Sequence, residues 1–294
     1  MAAHQESAPS DDLLKGTIVK AGGHNLNVVN RGKGPAVLML HGFPNSSTLY
    51  KHQIPFLVDH GFQVIVPDLL GFGGSDKPQD VEPYTLDNQV TMLKEVLDQL
   101  GVDKAVVVGH DWGAGLAWHF AALAPERTTR LVALSVGHPA QYFNTGEQQQ
   151  LSWYMLIFLH EGLAERVITD GSVLSKVTPA SQMVLFATDE FVQMFADLAK
   201  PGNATAGLNW YRANVTPEKM VAGYITQTPP VEVDTLMIWP TGDHYACCEA
   251  QAKGSEAFVK GRFRYERVEC DSHFVTWSAP DKVNELLLGF LTES

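Results

Sequence analysis

The sequence predicts an α/β fold: a mostly parallel central sheet flanked by helices, with an inserted helical cap. Three observations carry that expectation. Nearly continuous apolar runs at Ala36 to Leu40, Gln63 to Pro67 and Ala105 to Val108 alternate with stretches of helical spacing, as strands covered on both faces require. After a further strand at Arg130 to Val136, the rhythm breaks off into a segment rich in helix formers and aromatic residues, punctuated by Pro179, Pro201, Pro217 and the Pro229-Pro230 pair. It then resumes at Thr235 to Trp239 and Phe263 to Cys270.

Each element has a local reason. The β-rich stretches Gly16 to Ala21 and Asn25 to Asn30 flank Gly22 and Gly23 and read as an antiparallel hairpin. Leu86, Val90, Leu93, Leu97 and Leu100 recur at helical spacing behind a Thr85 cap, and Gly101 stops that helix. A second helix runs from Gly113 through Leu116, Phe120 and Leu123, and a last one from about Pro280 presents Val283, Leu286, Leu287 and Phe290. No internal repeat is present. The expected division is a core of residues 1–138 and 234–294 and a cap of residues 139–233, with the binding cleft between them.

Composition narrows the function. With 33 acidic against 21 basic side chains the net charge is −12, which repels phosphate backbones and anionic lipid surfaces, so nucleic acid and membranes are excluded as partners. Cys247, Cys248 and Cys270 form no Cys-x-x-Cys or Cys/His metal spacing, so no metal is expected and a reduced compartment is. The polar stretch Met1 to Asp12 lacks a signal pattern, and the longest apolar run, Trp153 to Leu159, is too short to span a bilayer. The expected location is the cytoplasm and the expected state a monomer or homodimer. Acceptor-like triplets at Asn45, Asn203 and Asn214 carry no weight without an export signal.

The chemistry concentrates in Gly109-His110-Asp111-Trp112-Gly113, placed between an apolar strand and a helix. Small residues flanking a central one permit a sharp strand-to-helix turn that lifts the central side chain above the sheet. Here that side chain is a carboxylate, and the competing role for Asp111 is a simple helix N-cap. His41-Gly42-Phe43-Pro44 follows the strand ending at Leu40, where a loop can aim backbone N–H groups at Asp111. Asp243 and His273 each follow a later strand, so nucleophile, acid and base come in that order at strand C-termini. His244 competes for the acid role and His138 for the base. A carboxylate attacking an ester would only make a more reactive anhydride, so its target is saturated carbon, in an epoxide or an alkyl halide.

The chain resembles the soluble epoxide hydrolases of the α/β-hydrolase fold over about residues 14 to 292. The matching segments are His41-Gly42-Phe43-Pro44, Asp68-Leu69-Leu70-Gly71-Phe72-Gly73-Gly74-Ser75, Gly109-His110-Asp111-Trp112-Gly113-Ala114-Gly115 and Leu208-Asn209-Trp210-Tyr211-Arg212. The resemblance implies an epoxide substrate, no cofactor, and Asp111 as nucleophile. It implies cap tyrosines Tyr154 and Tyr211 that bind and protonate the epoxide oxygen, the former matched by its position ahead of Phe158, Gly162, Ala164 and Glu165. His273 with Asp243 activates water, the backbone N–H groups of Phe43 and Trp112 form the oxyanion hole, and His41, Pro44 and Trp112 join the tyrosines against the substrate. His273 departs from the family pattern in following Ser272 instead of glycine.

Competing activities are weighed on the same residues. Haloalkane dehalogenases share Trp112, but Phe43 occupies their asparagine position. Trp153 and Trp210 each adjoin a needed tyrosine, and helix neighbours point ~100° apart. Haloacetate dehalogenases carry arginines after the nucleophile, where Trp112 and Gly115 stand. Asp111 in the serine position excludes a serine esterase, and the intact nucleophile, acid and base argue against a non-catalytic receptor.

Overall fold

Residues 13–170 and 189–293 are described by a computed structural model. Pro179 lies outside the described residues, as does the stretch Met1 to Asp12. The strands are β1 (Thr17–Ala21), β2 (His24–Arg31), β3 (Ala36–Leu40), β4 (Gln63–Pro67), β5 (Ala105–His110), β6 (Thr128–Leu134), β7 (Thr235–Pro240) and β8 (Phe263–Val268). They form one sheet in the order β1-β2-β4-β3-β5-β6-β7-β8. β1 and β2 form the expected antiparallel hairpin, β2 pairs antiparallel with β4, and every other pairing is parallel.

The unbroken apolar runs are explained by burial on both faces. Along β3, Leu38 and Leu40 join one core cluster while Val37 and Met39 join the other, as the two-residue strand period requires. The first cluster contains the helices α2 (Leu86–Gln99) and α3 (Trp112–Leu123), and the second α1 (Gln53–Asp59) and α12 (Pro280–Thr292). Thr85 caps α2 by accepting from the N–H of Asn88. α3 is buried from Trp112 through Ala121, so it is apolar all round.

Several strand ends differ from expectation by one or two residues, β6 and β8 among them. β6 spans Thr128–Leu134, two residues earlier than the apolar pattern suggests, because Ser135 adopts a φ of 69° and turns the chain out of the ladder. β8 ends at Val268, before the loop of Cys270.

Between β6 and β7 lie α4 (Gly146–Leu151), α5 (Tyr154–Phe158), α6 (Leu163–Thr169), α7 (Asp189–Leu198), α8 (Asn203–Asn214) and α9 (Pro217–Ala222). α8 is tied to the core loops. Asn209 Nδ2 donates to the Gln79 carbonyl at 3.0 Å, Trp210 Nε1 to that of Leu70 at 2.9 Å and Asn214 Nδ2 to that of Tyr84 at 2.9 Å. Two short helices, α10 (Glu249–Lys253) and α11 (Val275–Ser278), follow β7 and β8. Among the described residues, no helix is long and apolar enough to cross a membrane.

Candidate active site

Asp111 sits between the last residue of β5 and the first of α3, at φ 55° and ψ −125°. A positive φ is uncommon for a residue with a Cβ and costs on the order of 1–3 kcal/mol, so the surrounding structure must impose it. The side chain makes no capping hydrogen bond, which removes the N-cap reading. The flanking glycines are required by close approach. A Cβ at Gly109 would lie 2.1 Å from the Gly113 carbonyl oxygen, and one at Gly113 would lie 2.0 Å from that of Leu40.

The carboxylate meets the loop after β3. The N–H of Phe43 donates to Asp111 Oδ1 at 2.8 Å, and the backbone of Trp112 also favours the charged carboxylate. The two groups expected to stabilise an oxyanion therefore converge on the head of Asp111. Burial works against its charge, but the positive charge of His273 close by prevails and holds the carboxyl below its ordinary range.

His273 faces both carboxylates. Its Nδ1 is 2.5 Å from Asp243 Oδ2, and its Nε2 is 3.4 Å from Asp111 Oδ2, an ion-pair separation without hydrogen-bond geometry. Asp243 is oriented in turn by the N–H groups of Ala246 at 3.1 Å and Cys247 at 3.3 Å, both bonding Oδ1. Burial would lower the imidazole pKa, but Asp243 and Asp111 outweigh it and push the group up to about 10. The rivals stand elsewhere: His244 is exposed, and His138 stacks on Phe258 at 4.4 Å with Nε2 directed to the Pro229 carbonyl.

His110 stays neutral beneath the site, its pKa pushed down to about 4 by burial and by the charge of His273. Its Nε2 donates to the carbonyl of His273 at 2.9 Å, so it supports the backbone, as its place beside the nucleophile suggests. Asp243, Cys247 and His273 also bring one potential metal-ligand atom each within 4.8 Å of one another. Asp243 Oδ2 and His273 Nδ1 are already bonded to each other, with the Cys247 thiol beside them.

Tyr154 opens α5 and Tyr211 lies on α8. The ring of Tyr211 meets those of Trp112 at 5.1 Å, Phe43 at 5.5 Å and Tyr154 at 6.3 Å, so both tyrosines stand over the nucleophile. Its hydroxyl interacts with the side chains of Trp112 and Tyr154. Burial raises the pKa of both phenols well above the ordinary value; Asp111 adds to the rise at each, and the two phenols are neutral proton donors. The adjacent tryptophans are engaged elsewhere: the ring of Trp210 packs 6.1 Å from that of Trp112 but its Nε1 is bonded to the Leu70 carbonyl, and Trp153 is 47% exposed.

One expectation needs correction. His41 is fully buried, accepting the N–H of Leu69 on Nε2 at 2.8 Å and donating from Nδ1 to the Gly42 carbonyl at 3.0 Å. With both nitrogens committed to the backbone, it shapes the loop and does not meet a substrate. Pro44, next to Phe43 on the same loop, lines a cavity of about 430 Å³ with Phe72, Met194, Leu198 and Trp277. Tyr245, whose hydroxyl accepts the N–H of His273 at 3.1 Å, was not singled out by the sequence; its only signal is a position two residues after Asp243.

With this geometry in view, comparison with known proteins is informative. The pattern of the family described as alpha/beta hydrolase fold matches residues 35–280. The AB hydrolase superfamily protein YfhM of Bacillus subtilis (strain 168) is 31% identical over 290 residues, covering 95% of this chain and 99% of that one. Epoxide hydrolase 2 of Siraitia grosvenorii is 30% identical over 320 residues, covering 95% and 99%. A solved structure described under novel epoxide hydrolases in metagenomes from hot environments superposes with a TM-score of 0.83 at 30% identity, covering 96% of this chain and 99% of that one.

Proposed function

The chain belongs to the α/β-hydrolase fold family and groups there with the epoxide hydrolases, and from that premise we propose that it opens an epoxide to a vicinal diol through a covalent ester on Asp111. The observation that carries the reading is the placing of one largely buried carboxylate beneath two phenols and beside an imidazole that is itself held by Asp243. We assign residues 139–233 the role of a cap that carries the phenols, in a cytoplasmic enzyme needing no cofactor and acting as a monomer or homodimer.

In the first step an Asp111 oxygen attacks an epoxide carbon. The C–O bond breaks, and the ring oxygen takes a proton from Tyr154 or Tyr211. Ester formation removes the negative charge of Asp111, and with it part of the support that keeps His273 protonated. The imidazolium then gives up its proton, which balances the one lost by the tyrosine, and His273 becomes a base when a base is needed.

In the second step His273 takes a proton from water, and the hydroxide attacks the ester carbonyl. Phe43 and Trp112 hold the resulting oxyanion, each donor being worth ~3 kcal/mol. Collapse of the intermediate expels the diol oxygen, which takes a proton from His273; the carboxylic acid left at Asp111 then passes its proton to His273, and the starting carboxylate and imidazolium are restored. A halide site would need a second cap donor beside Trp112, but Trp210 is turned to a core carbonyl and Trp153 to solvent.

The test is incubation with aryl, alkyl and fatty-acid epoxides beside matched bromoalkanes, measuring diol and bromide together. Diol without bromide is expected; bromide as the main product would overturn the proposal.

A further inference from the structure

The ring of the base is held by Asp243, yet its backbone is held as well, and by side chains. On one side, the hydroxyl of Tyr245 accepts the N–H of His273 at 3.1 Å and interacts with the hydroxyl of Ser272. On the other, the His273 carbonyl accepts from Ser135 Oγ at 2.9 Å and from His110 Nε2 at 2.9 Å. These contacts come from the ends of β5 and β6 and from the loop after β7, so three parts of the sheet grip the backbone of one residue on both sides. Ser135 reaches it from a positive φ of 69°, and Gln251 Nε2 secures its carbonyl at 2.8 Å.

The grip also ties the acid loop to the base loop. Tyr245 lies two residues after Asp243, and the two loops already touch at Gly242, where a Cβ would lie 2.2 Å from the carbonyl oxygen of Cys270. Ser272, which replaces a glycine of the related pattern, is buried and turns its Oγ to the N–H of Phe274 at 3.0 Å. A loop without that glycine is thus fixed by hydroxyls.

We propose that Tyr245 and Ser135 are positioning residues that clamp the His273 peptide, setting where Nε2 points when water must be activated. The inference rests on the covalent reading above. It assigns the clamp to ester hydrolysis alone, because alkylation depends on Asp111 and the cap tyrosines, which these residues do not touch.

The experiment is a rapid-quench single turnover with styrene oxide, following ester-bearing protein by intact mass and diol by chromatography. Tyr245→Phe keeps the ring and removes the hydroxyl. Ester decay should slow about tenfold, the size expected for one lost hydrogen bond, with ester formation within about twofold of wild type. Ser135→Gly should give the same split without loss of thermal stability, since glycine relaxes the positive φ, and it decides the matter should Tyr245→Phe fail to fold. Unchanged ester decay, or formation and decay falling together, would overturn the clamp. Failure of wild type and of His273→Gln alike to form any ester would overturn the covalent reading instead.

Discussion

Gly42 stands against Asp111 so closely that a Cβ there would lie 2.3 Å from Oδ1 and 2.4 Å from the Asp111 Cβ. The contact allows the neighbouring N–H of Phe43 to reach the carboxylate at 2.8 Å. Gly42→Ala must push the loop or the nucleophile aside. A loss of roughly 2 kcal/mol in stability and at least about a hundredfold in ester formation is expected, read by thermal unfolding and single-turnover kinetics.

Asp111 occupies a left-handed backbone that glycine adopts freely. Asp111→Gly should therefore abolish turnover while raising stability by about 1 kcal/mol, because relief of the strain outweighs loss of the favourable contacts of the carboxylate. Denaturant unfolding of the variant beside wild type checks the sign; a destabilised variant would mean that the charge contacts of Asp111 outweigh its strain.

Stability should depend on pH through His273. Its folded pKa of about 10 lies above the ordinary 6.5, so the stabilisation is fully present below pH 6.5 and is lost as pH rises toward 10. Asp111, shifted below its ordinary 3.8, acts in the opposite sense, its contribution being lost as pH falls below that value. Denaturation midpoints measured from pH 6 to 10 should fall in wild type and flatten in His273→Gln.

The cap tyrosines act before the ester exists. Tyr211→Phe should lower the rate of ester formation by about a hundredfold and leave ester decay unchanged, as removal of a general acid does. Stopped-flow quenching of tryptophan fluorescence, with Trp112 about 5.1 Å from the Tyr211 ring, reads the first step separately.

Much of this was legible in the sequence where chemistry and local geometry coincide. β3 and β4 match their expected ranges residue for residue, since strands buried on both faces carry few polar residues to blur the pattern. The Asp111 turn was readable from its glycines, and the order of Asp111, Asp243 and His273 from the strands before them. His41 was misread because its partner is the Leu69 N–H, supplied by a neighbouring strand's loop with no sequence signal. Ser135 ends β6 through a backbone conformation that serine's propensity does not announce. Tyr245 acquires its role only when two distant loops meet.

The central claim is that water attacks the Asp111 ester and not the epoxide. The direct measurement is one turnover in H₂¹⁸O with enzyme in excess, followed by mass analysis of the Asp111 peptide and of the diol. The account predicts one ¹⁸O in the Asp111 carboxylate and an unlabelled diol. Label in the diol with an unlabelled Asp111 would contradict it.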